Sequence, residues 1–183
     1  QSISACGAKP VPCDINPESL TLDLKDAERK INNKTKAIMP VHFAGDCGNL
    51  DEIYRFSRSY GIRVVEDAAH AFGSIYEGKR IGSFGDISCF SFDGIKNITS
   101  GEGGCIVAED IKMLNAIKSA RLLGINNDTD KRYRNERSWE FNVSSQGWRY
   151  HMSDLMAAIG INQLDKLDYF SKKRRELALL YDS

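Results

Sequence analysis

The stretch Asn49-Leu50-Asp51-Glu52-Ile53-Tyr54-Arg55-Phe56-Ser57-Arg58-Ser59-Tyr60-Gly61-Ile62-Arg63-Val64-Val65-Glu66 decides the fold. Asn49 is a helix-capping residue, and Leu50, Ile53, Tyr54 and Phe56 give the following segment an apolar side. Gly61 stops that helix, and Ile62 to Glu66 reads as a buried strand. Upstream, Ala37-Ile38-Met39-Pro40-Val41-His42-Phe43 is a second strand candidate, with Pro40 marking an irregularity or an edge. Strand, helix and strand in this order predict a parallel βαβ unit.

Working outward, Asp23 to Ile31 predicts a short helix, and the proline-punctuated run from Cys6 to Asp14 is extended. Ser88 to Phe92 and Cys105 to Ala108 read as two more strands. Their connection is short, so they either pair antiparallel or sit apart in the sheet. Asp110 to Leu123 is a helix closed by Gly124, and the polar run from Asn126 to Gln146 is a long loop. Ser153 to Tyr181 is one long helical pattern with Leu155, Met156, Ile159, Leu164 and Leu167 on its apolar side. Lys172-Lys173-Arg174-Arg175 near its end is read as a solvated face rather than a phosphate site. The expected class is α/β, a mostly parallel sheet with flanking helices.

The chain has 183 residues, 42% of them hydrophobic, enough for a buried core. Lys+Arg and Asp+Glu are both 25. That balance gives no electrostatic footprint for nucleic acid and none for a membrane surface. No apolar run approaches membrane-spanning length, and no signal peptide is visible. The five cysteines, Cys6, Cys13, Cys47, Cys89 and Cys105, form no Cys-x-x-Cys pair and are expected to be buried free thiols of a reducing, cytoplasmic compartment. The three histidines are not spaced as metal ligands.

Two residues stand out chemically. Asp67 ends the strand after Glu66, where ligands of open α/β sheets bind. A carboxylate there suits a cationic ring nitrogen, and equally a helix cap or a structural ion pair. Lys96 follows the strand ending near Phe92 and precedes Ser100-Gly101-Glu102-Gly103-Gly104. A desolvated lysine is a nucleophile toward carbonyls and a proton shuttle, whereas most lysines are solvated surface charges. The Ser91 hydroxyl could donate to a phosphate oxygen. The glycine run is a tight turn or an anion cradle, and it lacks the ending of a nucleotide-triphosphate loop.

Together these strings resemble the DegT-type aminotransferases, nucleotide-sugar aminotransferases of the fold type I, pyridoxal-phosphate-dependent class. The resemblance runs through Gly7-Ala8-Lys9-Pro10-Val11, Thr35-Lys36-Ala37-Ile38, Val41-His42, Glu66-Asp67-Ala68-Ala69-His70 and Gly82-Ser83-Phe84-Gly85-Asp86. It continues through Ser91 to Lys96, Gly101-Glu102-Gly103-Gly104, Tyr150-His151-Met152-Ser153-Asp154 and Ala157-Ala158-Ile159-Gly160. It implies pyridoxal 5'-phosphate as cofactor, with pyridoxamine phosphate as its intermediate form. Asp67 would bind the pyridine nitrogen, His70 would stand beside the ring, and Ser91 would bind the phosphate. Lys96 would form the internal aldimine and transfer the proton. Gly147-Trp148-Arg149-Tyr150 departs from the family's usual string, and Arg149 is assigned to the phosphate in a neighbouring subunit, a charge-assisted contact.

The implied reaction moves an amino group from an amino acid, expected to be glutamate, to a nucleotide-diphosphate-linked keto-sugar, within a homodimer. Products of that kind feed polysaccharide, glycan or antibiotic-sugar synthesis. Alternatives are a non-catalytic scaffold that binds no cofactor and a pyridoxamine-phosphate-dependent sugar dehydratase, a branch with His where Lys96 stands. Family members are about twice as long, so the chain is expected to be the central part of the large domain. Residues 1–147 would belong to the cofactor-binding domain, and residues 148–183 would form a loop and long helix leading toward a C-terminal domain.

Overall fold

A computed structural model describes residues 1–125 and 142–183 of the chain. The predicted βαβ unit forms. β1 (Ala37–Ile38) pairs parallel with β2 (Arg63–Asp67), and α3 (Leu50–Tyr60) makes the crossover. Asn49 Oδ1 accepts the Glu52 N–H at 3.1 Å, and Asp51 and Glu52 place negative charge in the first turn. Gly61 closes the helix in the left-handed region at φ 62°, which a side chain would resist. Leu50, Ile53 and Ser57 are its buried face, 0%, 3% and 4% exposed.

β5 (Ile87–Ser91) joins β2 in parallel, with Asp67 opposite Cys89. β6 (Gly104–Ala108) then pairs antiparallel with β5, from Ile87–Ala108 to Ser91–Gly104. Of the two arrangements the short connection permitted, the chain takes the antiparallel one. The described strands therefore run in the order β1-β2-β5-β6, with only the last pair antiparallel. The core lies on the α3 side and includes Ile38, Val64, Ala68, Phe90 and Ile53.

α1 (Ser2–Ala5) and the hairpin of β3 (Ile75–Tyr76) and β4 (Lys79–Arg80) are additions to the expected elements. The hairpin turns at Glu77 and Gly78, both at positive φ (47° and 78°), the backbone of a tight β-hairpin. α2 (Leu24–Lys30) and α4 (Ile111–Ala120) are shorter than their predicted spans. Their caps fix the starts: Asp23 Oδ1 accepts the Lys25 N–H, and Asp110 Oδ1 accepts the Lys112 N–H, each at 2.8 Å.

Three expectations are corrected. The strand expected from Ala37 to Phe43 ends at Ile38. Pro40 has no N–H to give the ladder, and beyond an isolated bridge from Val41 to Asp67 the chain turns through a 3-10 segment, Phe43–Gly45. The helix expected from Ser153 to Tyr181 is two helices, α5 (Asp154–Leu164) and α6 (Leu167–Tyr181). The break lets Leu167 sink to 6% exposure against Gly73, while Leu155 stays 81% exposed. One apolar stripe on a straight helix would not serve both. Of the five cysteines, all free, only Cys47 is fully buried, and Cys6, beside the short α1, is exposed. Most of the long loop expected from Asn126 to Gln146 lies outside the described residues. Its end is placed, with Val143 bridged antiparallel to Ile125.

Candidate active site at the carboxyl ends of β2 and β5

Side chains alternate along a strand, so β2 presents Val64 and Glu66 to one face and Val65 and Asp67 to the other. Register carries the same parity to β5: Asp67 shares a face with Cys89, and Ser91 lies two residues farther along that face. Strand spacing and rise put the Asp67 and Ser91 backbones about 8 Å apart. Both residues sit at the carboxyl ends of parallel strands, where such sheets take ligands.

Asp67 Oδ1 accepts the Ala69 N–H at 3.2 Å; no described residue occupies Oδ2. Its backbone is held on both sides, by the Pro40 carbonyl at 2.9 Å and the His42 N–H at 3.0 Å. His70 follows one turn later. Its Nδ1 accepts the Ala44 N–H at 3.3 Å, which leaves Nε2–H as the outward donor of the neutral ring. Ser91 Oγ accepts the Asp93 N–H at 3.4 Å and keeps its own proton to donate.

Lys96 lies in the turn that follows, closed by its N–H to the Asp93 carbonyl at 3.1 Å. The side chain is half-buried, and among the described residues nothing binds its Nζ. Two contacts fix this turn. Asn97 Nδ2 donates to the Phe72 carbonyl at 3.1 Å, and Arg174 of α6 donates to the Asn97 carbonyl at 3.0 Å. Phe72 packs edge-on against Phe90 and Phe92. The lysine turn is thereby joined to the segment just after Asp67 and His70.

The glycine run forms a turn into β6. The Phe92 N–H donates to Gly103 and the Ser100 N–H to Phe92, at 2.8 and 2.9 Å, steering the chain into β6. The fully buried Ser100 Oγ donates to the Glu102 carbonyl at 2.7 Å. A Cβ on Gly103 would meet Ser100 Oγ at 2.7 Å and Met152 at 2.8 Å, so this position of the turn takes no side chain. The cluster Lys172 to Arg175 is exposed, with Lys172 and Lys173 paired to Glu176, as a solvated face predicts.

Arg149 stands apart. It is exposed, bridged antiparallel to Leu122, and no described contact joins it to the other four residues. A cavity of about 380 Å³ lined by Phe72, Ile81, Phe90, Val107, Leu164 and Leu167 is also separate. Phe90 has the parity of Glu66, so that cavity opens on the opposite face of the sheet from Asp67.

Residues 1–183 match the DegT/DnrJ/EryC1/StrS aminotransferase family. The chain belongs to this family. It is 38% identical over 177 residues to the spore coat polysaccharide biosynthesis protein SpsC of Bacillus subtilis, covering 97% of this chain and 46% of SpsC. Its fold matches that of PseC of Helicobacter pylori, an aminotransferase involved in the biosynthesis of pseudoaminic acid. The TM-score is 0.89 at 31% identity, covering 98% of this chain and 46% of PseC. Spr1654 of Streptococcus pneumoniae, solved in a PLP form, matches with a TM-score of 0.86 at 29% identity, over 98% of this chain and 49% of that one. The chain spans about half the length of the curated relatives it matches.

DegT/DnrJ/EryC1/StrS aminotransferases depend on pyridoxal phosphate. The donor set fits that group: an unengaged carboxylate oxygen for a protonated ring nitrogen, an unengaged lysine amine for an aldehyde, and a hydroxyl with a free proton for a phosphate. Two features of this family site were missed by sequence reasoning. One is Asn97, which ties the lysine turn down. The other is the buried partnership of Glu66 with His42 and Tyr54, although a charge inside the apolar run Val64–Ala69 was a signal that partners must exist.

Proposed function

We propose that this chain carries the cofactor-attachment residues of a pyridoxal-phosphate-dependent nucleotide-sugar aminotransferase. The observation that carries the reading is the placement of Asp67 and Ser91 on one face at the ends of adjacent parallel strands, with Lys96 in the next turn. Bound there, the cofactor supplies an electron sink for a carbanion beside a nitrogen.

The protein's residues do the rest. The Asp67 carboxylate would accept the ring N–H and keep that nitrogen protonated by pairing with it. His70 would stand beside the ring. The Ser91 hydroxyl donates to the phosphate, and Arg149 does so across a homodimer interface. Lys96 Nζ would hold the cofactor covalently and would serve as the group that moves a proton at the substrate carbon.

The amino donor is glutamate, and the acceptor is a keto-sugar on a nucleotide diphosphate. The likeness to SpsC and PseC supports a sugar acceptor. The cytoplasm is the expected compartment, since the described cysteines are free thiols. No helix among the described residues is long and apolar enough to cross a membrane. Residues 1–147 belong to the cofactor-binding domain, and residues 148–183 lead toward a further domain.

Borohydride reduction of the intact protein loaded with pyridoxal phosphate, followed by peptide mapping, tests the reading. The expected result is one adduct, on Lys96. No visible band and no adduct would instead make the protein a scaffold. Sugar deoxygenation without net amine transfer would make it a dehydratase.

A further inference from the structure

β2 ends in two consecutive carboxylates that face opposite sides of the sheet. Asp67 faces the candidate site. Glu66 is 0% exposed, and the reaction proposed above gives it no task. A carboxylate sealed in a core is destabilising unless hydrogen bonds fill its lone pairs. Those of Glu66 are filled from two other segments. His42 Nε2 lies 2.7 Å from Oε2, and the Tyr54 hydroxyl of α3 donates to Oε1. Tyr54 Oη in turn accepts the Asp86 N–H at 3.0 Å, which anchors the start of β5. Burial, and then the bond to Glu66, push the Tyr54 phenol well above its ordinary value, so it stays a donor.

His42 grips β2 twice. Its side chain holds Glu66, and its backbone N–H holds the Asp67 carbonyl at 3.0 Å. The ring is 1% exposed, and Nδ1 has no hydrogen-bond partner among the described residues. A proton on Nδ1 would be a buried, unpaired donor, so the ring proton sits on Nε2, directed at Glu66. Space around the group is full: a Cβ on Gly85 would come within 2.8 Å of Glu66 Oε1. The network therefore ties α3, the segment after β1 and, through Tyr54, the start of β5 to Glu66, the residue next to Asp67.

We infer that His42, Glu66 and Tyr54 are positioning residues that hold the end of β2 so that the Asp67 carboxylate meets the cofactor's ring nitrogen. The inference rests on the cofactor reading above. The three side chains touch neither cofactor nor substrate; they act through the backbone of Asp67.

The test is the affinity of the intact apoprotein for pyridoxal phosphate, read from the visible band, in Glu66→Gln and Tyr54→Phe. Each is expected to bind about tenfold more weakly, the lower end of what losing an orienting partner costs a bound group. Leu50→Ala is the control: it lowers the melting temperature through the core and is expected to leave Kd unchanged. Wild-type Kd in both network variants, or an equal loss in Leu50→Ala, would overturn the inference and leave the cofactor reading intact. No visible band in the wild-type protein would overturn both. Nitrogen-15 NMR of the wild-type apoprotein gives a readout without cofactor: His42 Nε2 should carry a proton, and a bare Nε2 with the proton on Nδ1 alone would refute the network.

Discussion

The two faces of β2 are built from one five-residue strand and could hardly differ more. On one side Val64 and Glu66 are 1% and 0% exposed, backed by Leu50, Ile53 and the His42 ring. On the other, Asp67 is half-buried in a neighbourhood where Met39, Val41 and Ile106 are 40%, 48% and 43% exposed. The sealed face settles where the strand lies, and the open face holds groups with unspent hydrogen-bonding capacity. Alternation alone separates the two tasks, so a substitution on one side should move a different observable from its neighbour on the other.

The sharpest break in the comparison is on the open side. Lys96→Ala should abolish the borohydride adduct completely while the apoprotein melts as the wild type does, since its amine has no partner among the described residues. An adduct persisting on another lysine would show that the open face is not where the cofactor attaches. On the sealed side, Leu50→Ala removes a fully buried side chain and should cost about 2–5 kcal/mol of stability, read by urea unfolding. A cost below about 1 kcal/mol would show that the α3 side is not the core. Asp67→Asn is the converse: about 2 kcal/mol or more lost from cofactor binding, roughly thirtyfold in Kd, with an unchanged urea midpoint. If the midpoint falls as far as for Leu50→Ala, Asp67 is a structural residue and the division of faces fails.

Much of this division was legible beforehand, for particular physical reasons. The helix cap at Asn49, the stop at Gly61 and the apolar run after it are local signals, and the βαβ unit they predict is present. Asp67, Ser91 and Lys96 stand out because they lie at or just past the ends of apolar runs, their roles rest on the family resemblance, and the parallel register of β2 with β5 places Asp67 and Ser91 on one face. Nonlocal facts were not legible. Whether β5 and β6 would pair depended on a turn held by Phe92, Ser100 and Gly103. The single long helix failed because Leu167 has a partner, Gly73, that is far away in sequence. The network around Glu66 joins residues 42, 54, 66 and 86, whose spacing follows no period.

Gly85 probes how tightly the sealed face is filled. It sits at φ 93°, and an added Cβ would press on the Tyr54 hydroxyl and Glu66. Overpacking of this kind typically costs about 1–3 kcal/mol. Gly85→Ala should therefore lower the unfolding free energy read from urea titration by that amount, and it should also weaken cofactor binding if the network aims Asp67. A stable variant with wild-type binding would show that the space beside Tyr54 yields.

The smallest effect sits at the lower edge of the sheet, where the two faces meet. Arg63 has the parity of Asp67, yet its guanidinium pairs with Asp86, and Asp86 Oδ2 also accepts the Val64 N–H at 3.2 Å. The Arg63 hydrogen bonds hold the Asp86 carboxyl below the usual carboxylate range. Because the folded value is depressed, the stabilisation is present above the unfolded value, about 3.9, and is lost as pH falls through the folded one. Asp86→Asn removes that titration, so the drop in melting temperature as pH is lowered from about 5 to about 2.5 should be shallower than in the wild type. Arg63 is 51% exposed, which keeps the difference modest and makes it shrink in high salt. Parallel melting curves across that range would show that the pair is a surface contact, and that the Val64 N–H rather than the ion pair fixes the start of β2.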